Sequence, residues 1–265
     1  MRVFVEGVGL LGPGLNGWQA SRPLLAGDAA YAPTPTVVTA SELLPAAERR
    51  RTGLPVKLAL AAGCEAFVHA GRDAAITATV FTSSSGDGEN LHQICATLAS
   101  PEREISPTRF HNSVHNAPAG YWSIATRSHE ASTSLCCHDA SFAAGLLDAA
   151  VQVAVNGKPV ALIAYDQPYP EPLHTVRPLS ASFGMALVMA SQATGNAFAT
   201  LDISFVPGAA SATRMTDSGL DAVRTAVPAA RCLPLLAALA RGAIAVVILP
   251  YGDQNHLRAE VTPWQ

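Results

Sequence analysis

Thr133–Ala150, TSLCCHDASFAAGLLDAA, places two adjacent cysteines directly ahead of a run of small and apolar residues. Ser132–Leu135 predicts a short strand entering the stretch, and Ser141–Val155 predicts a helix apolar on nearly every side. Such a helix has to be buried, which puts it in the middle of a layered fold. A thiol at a helix start is also where unpaired backbone N–H groups and the helix dipole favour a thiolate. Cys136 and Cys137 are therefore candidate nucleophiles, against the plainer reading that buried cysteine behaves as a small hydrophobe. His138 follows directly, too local to serve as a separate base.

Outward from this stretch, strand and helix signals alternate. Upstream, Val3–Val8 predicts a strand ending in a glycine-rich turn, and 19–53 predicts a loop with a short helix near Glu42–Arg51. Pro55–Ala70 carries apolar residues at helical spacing with Gly71 as a C-terminal stop. Ala75–Phe81 predicts a buried strand opening into TSSSGDGE, Asn90–Leu98 a helix, 101–116 a polar loop, and Ala117–Ala125 a helix. Downstream, Val160–Tyr165 predicts a strand, Ser182–Ala190 and Ala197–Val206 a paired set of strands, and 207–219 a linker. Ala229–Ala240 predicts a helix, followed by strands over Ala243–Leu249 and Leu257–Val261. Strands alternating with buried helices predict an α/β layered domain with mostly internal strands.

Composition narrows the function classes. The chain has 265 residues, 49% hydrophobic and only 14% charged, with a net charge of −3. That excludes a disordered chain and the basic footprint of a nucleic-acid binder. Low charge with many apolar residues also suggests surface covered by a partner. Five cysteines (64, 95, 136, 137 and 232) without framework spacing favour a reducing compartment, so a cytoplasmic location is expected. The start, MRVFVEGVGLLGPG, reads as strand and turn, not as a signal peptide, and no apolar run is long enough for a membrane span.

Two further constellations are weaker. His111 and His115 are four apart, and His92 and Cys95 three apart; on a helix the histidines would share a face, as a zinc pair requires. They follow a Pro/Arg loop without an acidic partner, so no metal is expected. TSSSGDGE could cradle an anion through backbone N–H groups, but it lacks the P-loop and dinucleotide patterns. Its plainer reading is a tight strand-to-helix connection, and no cofactor is expected.

Taken in order, VKLALAAGCEAF, VFTSSSGDGE, HNAPAGYWSIAT, TSLCCHDASFAAGLLDA and VRPLSASFGMALVMA resemble the N-terminal half of the β-ketoacyl synthases. Asn116, Ala119, Gly120, Ser123 and Ile124 match the family's N-x-x-A-G-x-x-S-I stretch, and Arg177 and Pro178 match the start of its R-P-F-D segment. HNAPAGYWSIAT and SFAAGLLDA are most similar to the short chain length factors of aryl-polyene and related pathways. The resemblance implies an α/β thiolase-like layered fold (α/β/α/β/α) with a strongly truncated C-terminal half. It implies a ketosynthase-like part over 1–206 and a linker plus C-terminal remnant over 207–265, in one compact domain.

The resemblance also sets the expected chemistry. Counting back from Gly145 places Cys137 nearest the family's nucleophile position, with Cys136 second, yet His-Asp-Ala follows where active members have Ser-Ser-Ser. Only His174 and His256 follow His138, and neither sits in the family's H-G-T or G-H motifs. Decarboxylative condensation needs donors aimed at the developing enolate oxygen. The chain is thus expected to be a non-catalytic partner of a full-length β-ketoacyl synthase in a heterodimer, engaging acyl carrier protein indirectly. A homodimer is the other arrangement left open. Residues 110–135 would form the interface, with Asn116, Gly120, Tyr121, Trp122, Cys137 and Phe142 at the interface or tunnel; Tyr121 and Trp122 are equally readable as core. The alternatives are a Cys137-dependent acyltransferase or ketosynthase, its base drawn from His111, His115 or His174, and a zinc-binding structural domain.

Overall fold

A computed structural model describes residues 1–264. In chain order the elements begin with β1 (Arg2–Gly12), β2 (Leu15–Asn16), α1 (Trp18–Ala26), α2 (Ala46–Arg49), α3 (Leu54–Ala70) and β3 (Ala78–Thr82). Next come α4 (Gly88–Ala99), α5 (Pro107–His111), α6 (Ala117–Thr126), β4 (Ser132–Leu135), α7 (Ser141–Asn156), β5 (Val160–Asp166) and α8 (Leu173–Val176). The chain closes with β6 (Phe183–Ala190), β7 (Ala199–Pro207), α9 (Ser218–Ala226), α10 (Leu233–Arg241), β8 (Ala245–Pro250) and β9 (Asn255–Pro263).

Among the described residues all nine strands belong to one mixed sheet, in the order β4-β3-β5-β6-β1-β7-β9-β8, with β2 folded back on β1. β4, β3 and β5 run parallel, and every later pairing is antiparallel. β5 and β6 are buried at every position, the behaviour of strands covered on both faces. α3 and α6 cover one face through Leu58, Phe67, Phe81, Trp122 and Ile163. α1, α7 and α10 cover the other through Phe142, Leu146, Leu162, Leu187 and Leu236.

The glycines of VEGVGLLG set how closely α3 lies on β1. A Cβ on Gly7 would sit 2.1 Å from Ala66 O, and one on Gly9 would sit 1.9 Å from Ala62 O. Only glycine admits a helix backbone that near. Between Val5 and Gly7 the register to β6 shifts. Glu6 falls at that shift, fully buried, taking two hydrogen bonds from Arg72 at 2.5 and 2.7 Å and one from Thr194 at 2.7 Å.

Helices on the two faces of this one sheet make three layers, α/β/α, where five were expected, and β7, β9 and β8 extend the same sheet beyond β1. This has a visible consequence in α7. Its inward stripe from Phe142 to Val153 is buried, but Val151 and Val155 are 39% and 76% exposed, so the helix is not enclosed on every side as its sequence suggested.

Several local expectations are corrected. Residues 18–26 form α1 across what read as loop, tolerating Pro23 inside the helix, and 107–111 form α5 with proline in its first turn. β6 and β7 do not pair; β1 lies between them, supplied from the other end of the chain. Ser218–Ala226 forms α9, capped by the Asp217 carboxylate on the N–H groups of Gly219 and Leu220, both at 2.9 Å. The helix expected over 229–240 splits into a 3-10 turn at Pro228–Cys232 and α10.

Candidate functional site

β3, β4 and β5 are parallel, and their carboxyl ends deliver Ser83–Ser84, Cys136–Cys137 and Asp166 to one place. In open α/β sheets this end is where ligand sites form, because loops diverge there while the strands stay rigid. Both cysteines are exposed and unpaired as disulfides.

The thiols are not poised as the sequence suggested. A 3-10 turn over His138–Ala140 separates them from α7, whose N-cap is Ala140, so neither sulfur sits at the helix N-terminus. Burial pushes the Cys137 thiol above its ordinary value, and the neighbouring Cys136 adds to the rise. Cys136 Sγ donates to Ser84 O at 2.9 Å. The turn is pinned from below, where Cys137 N donates to Ser141 Oγ at 3.0 Å and Ser141 Oγ donates to His138 O at 2.7 Å.

The anion cradle suggested by TSSSGDGE is already filled by the protein itself. Asp166 is 2% exposed and its Oδ1 accepts from Ser84 N at 2.8 Å, Ser84 Oγ at 2.8 Å and Ser83 Oγ at 3.1 Å. Its Oδ2 accepts from Ala229 N at 2.7 Å, reaching into the C-terminal segment. Burial pushes the Asp166 carboxyl up, and these donors partly offset it. Beside it the Tyr165 hydroxyl is buried without a partner, its phenol driven well up by burial.

An ionic cluster stands next to the cysteines. Arg177 donates to Asp139 Oδ1 at 2.8 Å and Arg231 donates to Asp139 Oδ2 at 3.0 Å. Burial alone would raise the Asp139 carboxyl, but the Arg177 hydrogen bond and the charges of Arg231, Arg177 and His138 outweigh it and hold it low. Arg177 thus brings the R-P segment to the turn. Asp139, Asp166 and Arg231 were not singled out from sequence, because their partners lie 38 to 92 positions away.

The remaining candidates separate into two sets. Asn116, at the N-cap position of α6, and Gly120 are exposed, and an added Cβ on Gly120 meets nothing within 4 Å. Tyr121 and Trp122 are 2% and 1% exposed and belong to this chain's own core. The Trp122 ring lies 5.4 Å from that of Phe67 and 6.2 Å from that of Phe81, and Tyr121 OH donates to Asn112 Oδ1 at 3.1 Å. Phe142 is likewise core, at 1% exposure. The apolar side chains that the 110–135 segment offers outward are instead Phe110, Val114 and Ile124, at 68%, 53% and 45% exposure.

The histidines scatter. His111 closes α5 and His115 lies beyond its end, so the two share no helix face. His115 Nε2 meets the carbonyl O of Leu135, the residue before Cys136, at 3.1 Å. The Nδ1 of His174 is buried without a partner, and His256 bonds Gly208 O at 2.8 Å on the far side of the sheet. Among the described residues no three His, Cys, Asp or Glu side chains converge as metal ligands, and no helix is long and apolar enough to cross a membrane.

The cysteine turn thus leads from the carboxyl end of β4 into α7, a helix packed on one face of the sheet. The model of the β-ketoacyl synthase N-terminal domain matches residues 18–248, and the chain belongs to that family. No curated protein matches it. Among solved structures, it is similar to a chain of the complex of a ketosynthase with its chain length factor from Xenorhabdus doucetiae. That likeness has TM-score 0.70 and 22% identity, over 99% of each chain. The ishigamide ketosynthase/chain length factor gives TM-score 0.75 at 13% identity over 100% of both chains. A type II polyketide acyl-carrier protein in complex with its hexaketide-bound ketosynthase gives 0.73 at 10% identity over 99% of both. At these identities the likeness establishes the fold.

Proposed function

We propose that the chain is a non-catalytic ketosynthase-like subunit, a chain length factor, that pairs with a full-length β-ketoacyl synthase and shapes its acyl tunnel. The setting is polyene, polyketide or fatty-acid-like biosynthesis in the cytoplasm, with acyl carrier protein engaged through the ketosynthase. Residues 1–206 supply the ketosynthase-like part and 207–265 a remnant that folds onto it.

The observation that carries this reading is the edge of the sheet at β4. Among the described residues β4 pairs only with β3, so one row of its backbone groups is open to another strand. Phe110, Val114 and Ile124 are exposed on the 110–135 segment that leads into β4, and the exposed Cys136–His138 turn follows it. A partner docked along β4 would therefore cover apolar side chains and face the turn. Asn116, Gly120 and Cys137 would lie on that boundary, while Tyr121, Trp122 and Phe142 act from beneath by fixing the backbone. The partner's tunnel would be bounded here by excluded volume. The names of similar structures, ketosynthase and chain length factor complexes, point the same way.

Co-expression with full-length ketosynthases of the same organism tests the reading: a stable 1:1 complex is expected, and a chain that stays monodisperse alone and never co-purifies overturns it. Incubation with acyl carrier protein bearing a labelled acyl chain separates the Cys137-dependent acyltransferase. Stable labelling that disappears in Cys137→Ala would establish the acyltransferase instead.

A further inference from the structure

A circuit of hydrogen bonds, closed by the backbone from Ala229 to Arg231, joins segments far apart in sequence at the Cys136–His138 turn. Starting from the Arg177–Asp139 bond already described, Arg177 Nε donates to Tyr169 OH at 3.3 Å, and Tyr169 OH lies 3.4 Å from Ser84 Oγ. Ser84 donates to Asp166, Asp166 accepts from Ala229 N, and Arg231, two residues further on, returns to Asp139. Cys136 is tied to this ring through Ser84 O. Within the turn, His138 holds φ at 49°, in the left-handed region that a non-glycine residue keeps only where its surroundings enforce it. Arg177 Nη1 meets His138 Nε2 at 2.5 Å.

We propose that Arg231 is a positioning residue for the turn. By closing the ring on Asp139 it holds the Cys136 thiol against Ser84 O. Asp139 is 41% exposed, so one ion pair there would hold little. Two arginines from separate segments, one on each carboxylate oxygen, fix its orientation as a single pair could not. The C-terminal segment therefore does more than fill the core: it sets the geometry of the cysteine turn, whether or not a partner chain docks there.

The full chain offers its own reporters, five free cysteines in different settings. A short pulse of iodoacetamide, read residue by residue by peptide mass spectrometry, gives the wild-type Cys136-to-Cys137 ratio as the reference. In Arg231→Met, and independently in Tyr169→Phe on the opposite side of the ring, the Cys136-to-Cys137 ratio should rise about threefold, the weight of one modest hydrogen bond. Exposed Cys95 on α4 should stay unchanged and half-buried Cys64 on α3 should stay protected. Arg231→Lys, which keeps the cation, should recover part of the wild-type ratio. An unchanged ratio in both variants overturns the proposal. So does a parallel rise at Cys64, which would mean that the ring only stabilises the fold.

Discussion

Trp122→Ala separates two roles for the most enclosed aromatic of the 110–135 segment, and the structure gives the size of the effect. Trp122 is 1% exposed, wedged between Phe67 and Phe81, and a Cβ added at Gly63 would lie 2.5 Å from its ring. Burying a side chain of about 200 Å² at about 25 cal/mol/Å² is worth ~5 kcal/mol. Truncations of this kind cost ~3–5 kcal/mol once partial collapse of the cavity is included. With an unfolding entropy of about 2.1 cal/mol/K per residue, a loss of ~4 kcal/mol from a chain of 265 residues lowers Tm by about 7 °C. Trp122→Phe should behave differently, because the indole N–H is buried without a partner and its removal relieves a cost that offsets the lost ring. That variant should stay within about 1 kcal/mol of wild type. Differential scanning calorimetry and urea melts read both. A Trp122→Ala chain with wild-type Tm would refute the core assignment, above all if partner binding fell at the same time.

Three other outcomes follow from the same structure. Gly63→Ala should cost about 1–3 kcal/mol by urea denaturation, since Trp122 on one side and Ile163 on the other leave its methyl no room. Phe110→Asp and Ile124→Asp should leave Tm within about 1 °C, as exposed sites do, yet weaken capture of the full-length ketosynthase in a pull-down; undiminished capture would move the interface elsewhere. Asp139 should show in the acid limb of stability. Its folded pKa is depressed, so its contribution is present above the unfolded value of about 3.9 and is lost as pH falls through the folded one. The stability gap between wild type and Asp139→Asn should therefore be full at neutral pH and close below about pH 4; a gap that persists undiminished at pH 2 would contradict the assignment.

Local chemistry made a good part of this protein legible. Apolar runs of the right length marked β5, β6 and α3, since strands buried on both faces and a helix lying on a sheet cannot be polar. The small residues after Cys137 marked α7 as an inward-facing helix, and segment order carried the family resemblance. Elements with little apolar periodicity were missed: α5 is a single turn, and α9 is held largely by its Asp217 cap and by Leu220 and Val223.

Only tertiary structure decided the rest, and the reason is distance along the chain. β1 inserts between β6 and β7, a pairing that no local signal contains. Tyr121 and Trp122 turn inward while Phe110 and Ile124 turn outward, a choice made by which helix face meets Phe67 and Phe81. The cysteine pair changed most. Its sequence proposes a thiol at a helix start; the fold inserts a turn before the helix, raises the Cys137 thiol by burial and ties Cys136 to Ser84. Asp139 sits only two residues from Cys137, yet its meaning depends on Arg177 and Arg231, which reach it only once the chain has folded.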